Sequence, residues 1–335
     1  MASQLLDAGL RLLSAAAPGV QLTGLEIFSA GMRSVVLRLE LAGFSAPSVV
    51  LKYFRRRDSA RNSGGFGYLR EKQGLGALEQ LAPGLYPRLL AADDSARLLL
   101  LEDVSGGRAG QSLADLLLSA QVNPVDGLQA AQRALELWTA TWAGLLRSPA
   151  QAAAQASFTA ELARADGRAS APGSLPSPQL ALKGLPLLAK RQGLRVGSAE
   201  FARMEQAVAS IIYPAAAERL LSSGDFSPAN LVQQAAPGVG VRGIDAEGSC
   251  WHHWALPVAE LQLGFPSWPE GPVSADLLGS DLWQGAAQRF YEQLAPAPLS
   301  DLGADRSVVA AQLTIRAILA EQGKVLSALP MEAYS

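Results

Sequence analysis

The sequence predicts an α+β chain of two lobes, a small β-rich lobe with one helix followed by a larger helical lobe. Three observations predict this. Short runs of β-branched and apolar residues, bounded by Gly, Ser or Pro, crowd the first part of the chain. From Ser112 onward the texture changes to long Ala, Leu, Gln, Glu and Arg segments of helical period. The 335 residues suffice for roughly two domains at about 150 residues each. The boundary falls near Asp103–Gly110, dividing the chain into residues 1–103 and 104–335.

The elements follow in order. Leu5, Leu6, Leu10, Leu12 and Leu13 recur near helical spacing, and Asp7 and Arg11 interrupt them. That pattern predicts a surface helix packed on the body rather than a signal peptide. Leu25–Ser29, Ser34–Leu41 and Ser48–Phe54 read as an antiparallel meander. Phe66–Leu81 places Leu69, Leu75, Leu78 and Leu81 among charges and reads as a helix ended by Pro83-Gly84. Arg88–Ala92 and Arg97–Glu102 read as strands joined at Asp93-Asp94-Ser95. Leu128–Arg147 is a helix, and so is Ala199–Leu221, which Pro214 should kink or split. Between them, Gln151–Ala165 and Leu180–Gln192 have helical period and flank a flexible Pro/Gly connector, Ala171–Pro178. No stretch approaches the roughly 18 apolar residues that cross a bilayer, so no membrane association is expected.

Composition excludes several chemistries. The 28 basic and 30 acidic side chains give 28 − 30 = −2, which speaks against an electrostatic nucleic-acid binder. The single Cys250 cannot close an intramolecular disulfide, and a reducing, cytoplasmic compartment suits it. His252 and His253 are too few for a Cys/His zinc site, and no Gly-x-Ser-x-Gly elbow occurs. The chemistry must rest on Asp, Glu, Asn, Lys and Ser.

Ser222–Glu247 concentrates those residues. A long helical stretch ends, a loop presents Asp225, and Asn230 follows; two apolar, strand-like segments then lead to Asp245. Phosphoryl transfer needs a carboxylate to accept the proton of an attacking hydroxyl, and oxygen ligands for Mg²⁺. Asp225 fits the first role, and Asn230 and Asp245 fit the second. Singly, Gly224-Asp225 would be a helix cap and Asp245-Ala246-Glu247-Gly248 a turn. Both at this spacing, each beside an apolar strand, point to the chemistry.

Ser223-Gly224-Asp225, Asn230 and Ile244-Asp245-Ala246-Glu247 together resemble the His-Gly-Asp-x-x-x-x-Asn and Ile-Asp-x-Glu signatures of the aminoglycoside phosphotransferase and choline kinase-like family. The resemblance runs in order from about Gly24 to about Leu263. It implies a bilobal protein-kinase-like fold, ATP and Mg²⁺ as cofactors, and a small hydroxylated substrate of aminoglycoside, amino alcohol or sugar type. One departure is Ser223, which stands where the family has a loop-bracing His. Altered loop packing is therefore expected, and a nucleotide-binding pseudokinase or interaction protein is the alternative reading.

The first lobe can be checked separately, because a kinase-like fold needs a strand Lys paired with a helix Glu to hold the α- and β-phosphates. Lys52 lies inside the apolar run Val49–Phe54, and Glu71 comes early on the following helix, with Glu79 as a substitute partner. By resemblance, Gly31 and Ser34 lie on the loop that covers the phosphates, and the backbones of Glu102 and Val104 meet the adenine edge. Arg55, Arg56, Arg57 and Arg61, near Ser63-Gly64-Gly65, read as a solvated loop. Trp251, Trp254, Phe265, Trp268, Trp283, Phe290 and Tyr291 read as packing rather than as a cage for a quaternary ammonium. Glu260, Asp276 and Asp281 fit an amine-binding pocket or a solvated surface equally well. His252 and His253 would face opposite ways in an extended chain.

Overall fold

The computed structural model describes residues 2–31, 33–55, 67–105, 110–122, 126–165, 173, 175, 178–193, 195–233, 240–268, 275–297, 300 and 302–324. Arg56, Arg57, Arg61, Ser63–Gly65, most of Ala171–Pro178 and the side chain of Asp276 lie outside them.

The chain opens with helix α1 (Ala2–Ala16) and then forms strands β1 (Gln21–Ala30), β2 (Ser34–Ala42) and β3 (Ser48–Phe54). Helix α2 (Tyr68–Leu81) and strands β4 (Leu89–Asp93) and β5 (Leu98–Glu102) complete an antiparallel sheet in the order β1-β2-β3-β5-β4. Strand alternation sorts β3. Val49 and Leu51 are fully buried among Leu13, Leu39 and Leu100, a core that α1 covers, whereas Val50 and Lys52 face the other way, toward the interlobe cleft. β1 begins four residues earlier than its apolar run suggests, because Gln21 pairs with Ala42 and Leu22 with Leu41. Ladder pairing, not burial, holds that end.

The helical lobe begins with a short strand, β6 (Gln111–Ser112), and helices α3 (Leu113–Val122), α4 (Asp126–Leu146), α5 (Gln151–Ala165), α6 (Gln179–Arg191) and α7 (Ser198–Ile212). Its core is built on α4, whose Trp138 and Trp142 are buried against Phe226, Phe265 and Phe290. The expected helix Ala199–Leu221 is corrected here. α7 stops before Pro214, and residues Arg219–Ser222 form strand β7, antiparallel to β10 (Cys250–His253). Proline cannot continue the helical hydrogen bonding, and β10 supplies the ladder that takes over. Asp225 therefore follows a strand, not a helix. Between β7 and β10 lie β8 (Leu231–Gln233) and β9 (Val241–Gly243), which pair with each other, and β8 pairs with β6 on its other edge. Helices α8 (Ala255–Gln262), α9 (Ala275–Leu278), α10 (Asp281–Leu294) and α11 (Arg306–Glu321) close the lobe. Among the described residues no helix is long and apolar enough to cross a membrane.

Candidate active site

A cavity of about 550 Å³ lies between the lobes, and Ser34, Lys52, Glu71, Glu102, Val104, Asn230 and Asp245 all line it. The interlobe packing thus gathers most of the sequence-predicted site residues. Gly31 and Asp225 are not in its lining. A Cβ at Gly31 would come no nearer than 3.8 Å to Ser34 O, so the backbone there does not demand glycine. Asp225 sits beside the cavity: Asn230 hydrogen-bonds its carboxylate, Ser227 N–H donates to Oδ1 at 3.0 Å, and the charge of Asp245 reaches it.

Lys52 is the hub. It is 5% exposed, with Nζ 2.5 Å from Glu71 Oε2 and 2.9 Å from Asp245 Oδ1. Glu79 is not its partner; that carboxylate accepts the Gly84 N–H instead. Burial alone would drive the ammonium to release its proton, but Asp245, Glu71 and Glu247 outweigh it and hold the pKa above the ordinary value. Asp245 is half-buried, which works against its charge, yet Lys52 holds its carboxyl below the usual range. Its backbone has φ +61°, a left-handed conformation that costs a non-glycine residue energy and recurs where function over-determines geometry. The Glu247 N–H donating to Asp245 Oδ1 at 3.2 Å steadies that turn.

The loop after β7 is braced from three sides. Gly224 has φ +75°, and a Cβ there would lie 2.0 Å from Gly248 O, so only glycine lets the Asp225 and Asp245 loops approach. Ser222 Oγ accepts the Gly224 N–H at 3.0 Å and lies 2.8 Å from His252 Nε2. Ser223 Oγ accepts the Tyr86 hydroxyl at 3.0 Å. Burial raises the Tyr86 pKa and lowers that of His252 to about 4, so both braces stay neutral. Ser227 Oγ then accepts the Ala229 N–H at 3.2 Å and starts the turn carrying Asn230, whose carbonyl receives the Ile244 N–H at 2.8 Å. Burial pushes the Asp225 carboxyl above its ordinary value, against the Ser227 N–H.

Sequence reasoning gave no role to Glu247, Arg33, Tyr86 or Arg38. Glu247 is buried, with Oε1 2.8 Å from Arg33 Nη1 and Oε2 3.9 Å from Lys52 Nζ. Its signal was available as the final residue of Ile-Asp-x-Glu. One carboxylate oxygen from each of Glu71, Asp245 and Glu247 falls within 4.8 Å of the others. The Lys52 ammonium sits among these three oxygens, whereas Asp245 and Asn230 both line the cavity and offer oxygen donors of the kind Mg²⁺ takes, so these residues fit that ion. Arg38 lines the opposite end of the cavity and donates to Asp103, Glu26 and Ser105.

Of the aromatic residues, Trp254, Phe265, Trp268, Trp283, Phe290 and Tyr291 are buried in the helical core, and Trp251 stacks on Arg219 at 4.3 Å. No cage forms among them. Glu260 is buried and accepts the Ser267 hydroxyl at 2.6 Å, and burial pushes its carboxyl up to about 7, so it is no solvated surface group.

No family model and no curated protein matches the chain. Solved structures do. A Plasmodium vivax ethanolamine kinase superposes with a TM-score of 0.55 at 13% identity, over 98% of this chain and 83% of that one. The streptomycin–ATP–APH(2")-IIa ternary complex gives 0.53 at 12% identity, over 95% and 91%. The chain has the protein-kinase-like fold. A Ralstonia eutropha JMP134 protein provisionally described as an aminoglycoside phosphotransferase gives 0.52 at 16% identity, over 99% and 93%. Within this kinase-like fold, β3 carries Lys52, α2 carries Glu71, and the β7–β8 and β9–β10 connections carry Asp225, Asn230 and Asp245.

Proposed function

We propose that the protein is an ATP- and Mg²⁺-dependent kinase that transfers the γ-phosphoryl group to a hydroxyl of a small molecule. The observation that carries this reading is Lys52 bridging Glu71 and Asp245 inside the cleft, with Asn230 and Asp225 beside them. Lys52 holds the α- and β-phosphates, and Glu71 fixes its direction. Asn230 and Asp245, with Glu247 close by, hold Mg²⁺, which when bound neutralises charge on the phosphates. The apolar walls Val36, Val50, Val232 and Ile244 suit a flat nucleobase, and the backbones of Glu102 and Val104 meet its edge. Asp225 accepts the acceptor hydroxyl's proton as the new oxygen–phosphorus bond forms; the bond to the β-phosphate oxygen breaks and ADP leaves.

Two of the superposed proteins support a small hydroxylated acceptor, since one is named an ethanolamine kinase and the other is bound to streptomycin and ATP. The test is ADP release over a panel of amino alcohols, sugars and aminoglycosides, with and without Mg²⁺. The expected outcome is release with at least one acceptor that EDTA stops. Stabilisation by ATP and Mg²⁺ with no ADP release from any acceptor would replace the enzyme with a nucleotide-binding pseudokinase.

A further inference from the structure

Arg33 sits on the turn between β1 and β2, where its carbonyl accepts the Arg55 N–H at 2.9 Å and anchors the turn to the end of the Lys52 strand. Its side chain pairs with Glu247 Oε1 at 2.8 Å, beside the cavity rather than in its lining. The other Glu247 oxygen faces Lys52 at 3.9 Å, so Arg33 and Lys52 flank one carboxylate. The two cations differ in exposure. The Lys52 side chain is 7% exposed and pinned by Glu71 and Asp245, whereas that of Arg33 is 56% exposed.

Formal charge adds weight to the second cation. With every group ionised, Lys52 and Arg33 stand against Glu71, Asp225, Asp245 and Glu247, and 2 − 4 = −2. A polyanion entering such a site needs every positive charge available. The Arg33 charge also acts on Asp225 as well as on Asp245 and Glu247, which places its influence between the Lys52 hub and the proton-accepting side. A guanidinium pairs with phosphate as readily as with carboxylate, through parallel N–H donors.

We propose that Arg33 reads the terminal phosphate: its guanidinium leaves Glu247 for the γ-phosphate when a nucleoside triphosphate binds, and so makes the roof turn selective for triphosphates. This rests on the kinase reading above. Lys52 serves the inner phosphates, and Arg33, on the far side of Glu247 from Lys52, serves the outermost one. Glu247, released from Arg33, keeps the Lys52 charge beside it.

The test is calorimetric binding of ATP, ADP and AMP, each with Mg²⁺, to wild type, Arg33→Ala and Arg33→Lys. Arg33→Ala is expected to weaken ATP about 10- to 100-fold, the range of a lost charge-assisted contact, and to leave ADP and AMP unchanged. Arg33→Lys should recover part of the ATP affinity. Unchanged ATP binding in Arg33→Ala, or an equal loss for all three nucleotides, overturns the proposal. Wild type binding none of the three nucleotides would sink the kinase reading itself, before any variant is measured.

Discussion

At one end of the cleft Asp103 accepts four hydrogen bonds, from Ser48 Oγ at 2.6 Å, Arg38 Nε at 3.0 Å, and Ser105 N and Oγ at 2.9 and 2.5 Å. Arg38 also donates to Glu26 and Ser105 and lies 4.6 Å above the Phe28 ring. Burial works against the Asp103 carboxylate, but Ser105 and Ser48 prevail and hold its pKa low. At the other end Lys52 and Arg33 face four carboxylates, and the charge does not close. Both clusters are polar and cross-linked around a buried centre, Asp103 in one and Lys52 in the other. The difference is saturation: four donors hold Asp103 in place, whereas a cluster with two more formal negative charges than positive ones can take up cations.

The largest test of that contrast falls on Asp225. Asp225→Asn should lower turnover by roughly 10²- to 10⁴-fold in a coupled ADP assay while nucleotide binding stays near wild type. Equal turnover would show that Asp225 accepts no proton. Lys52→Met comes next, because it strands Glu71 and Asp245 without their cation. Urea unfolding should register a loss of about 3–5 kcal/mol, part of which the added Glu71→Gln change restores. At the Arg38 end, Ser48→Ala removes one of four donors to Asp103 and should cost about 2 kcal/mol of stability. The Mg²⁺ dependence of turnover should not move; if it did, the two ends would be one coupled network.

A pH dependence is expected beneath the Asp225 loop. His252 has its folded pKa depressed from 6.5 to about 4 by burial, so it contributes stability above pH 6.5 that is lost as pH falls toward 4. Thermal melts of wild type and His252→Gln between pH 7 and pH 4.5 should therefore diverge, with wild type falling more steeply. Parallel curves would mean that the imidazole titrates in the folded protein as it does in the unfolded chain.

Much of the site was legible along the chain. A Lys inside Val-Val-Leu-Lys-Tyr-Phe is conspicuous because a strand side chain so flanked is buried, and a buried ammonium needs a carboxylate; Glu71 supplies one. The Asp225–Asn230–Asp245 spacing was legible because short strands leave connections that carry those residues at fixed offsets. The β7 strand was not, since its apolar residues continue the helical period of α7 and only pairing with Cys250–His253 makes Arg219–Ser222 extended. Nor was the substitute for the loop-bracing His. Tyr86 reaches Ser223 from 137 residues away, and no local pattern marks either residue.

The sequence by itself determined the elements and the identity of the chemical groups, because helical and strand periodicity, proline breaks and motif spacing act over a few residues. Only the tertiary structure decided which charges balance. Arg38 meets Asp103 across 65 residues and Lys52 meets Asp245 across 193. Whether a buried carboxylate is saturated or left seeking a cation depends on how the lobes pack, and that is set by long-range contacts that no stretch of chain encodes alone.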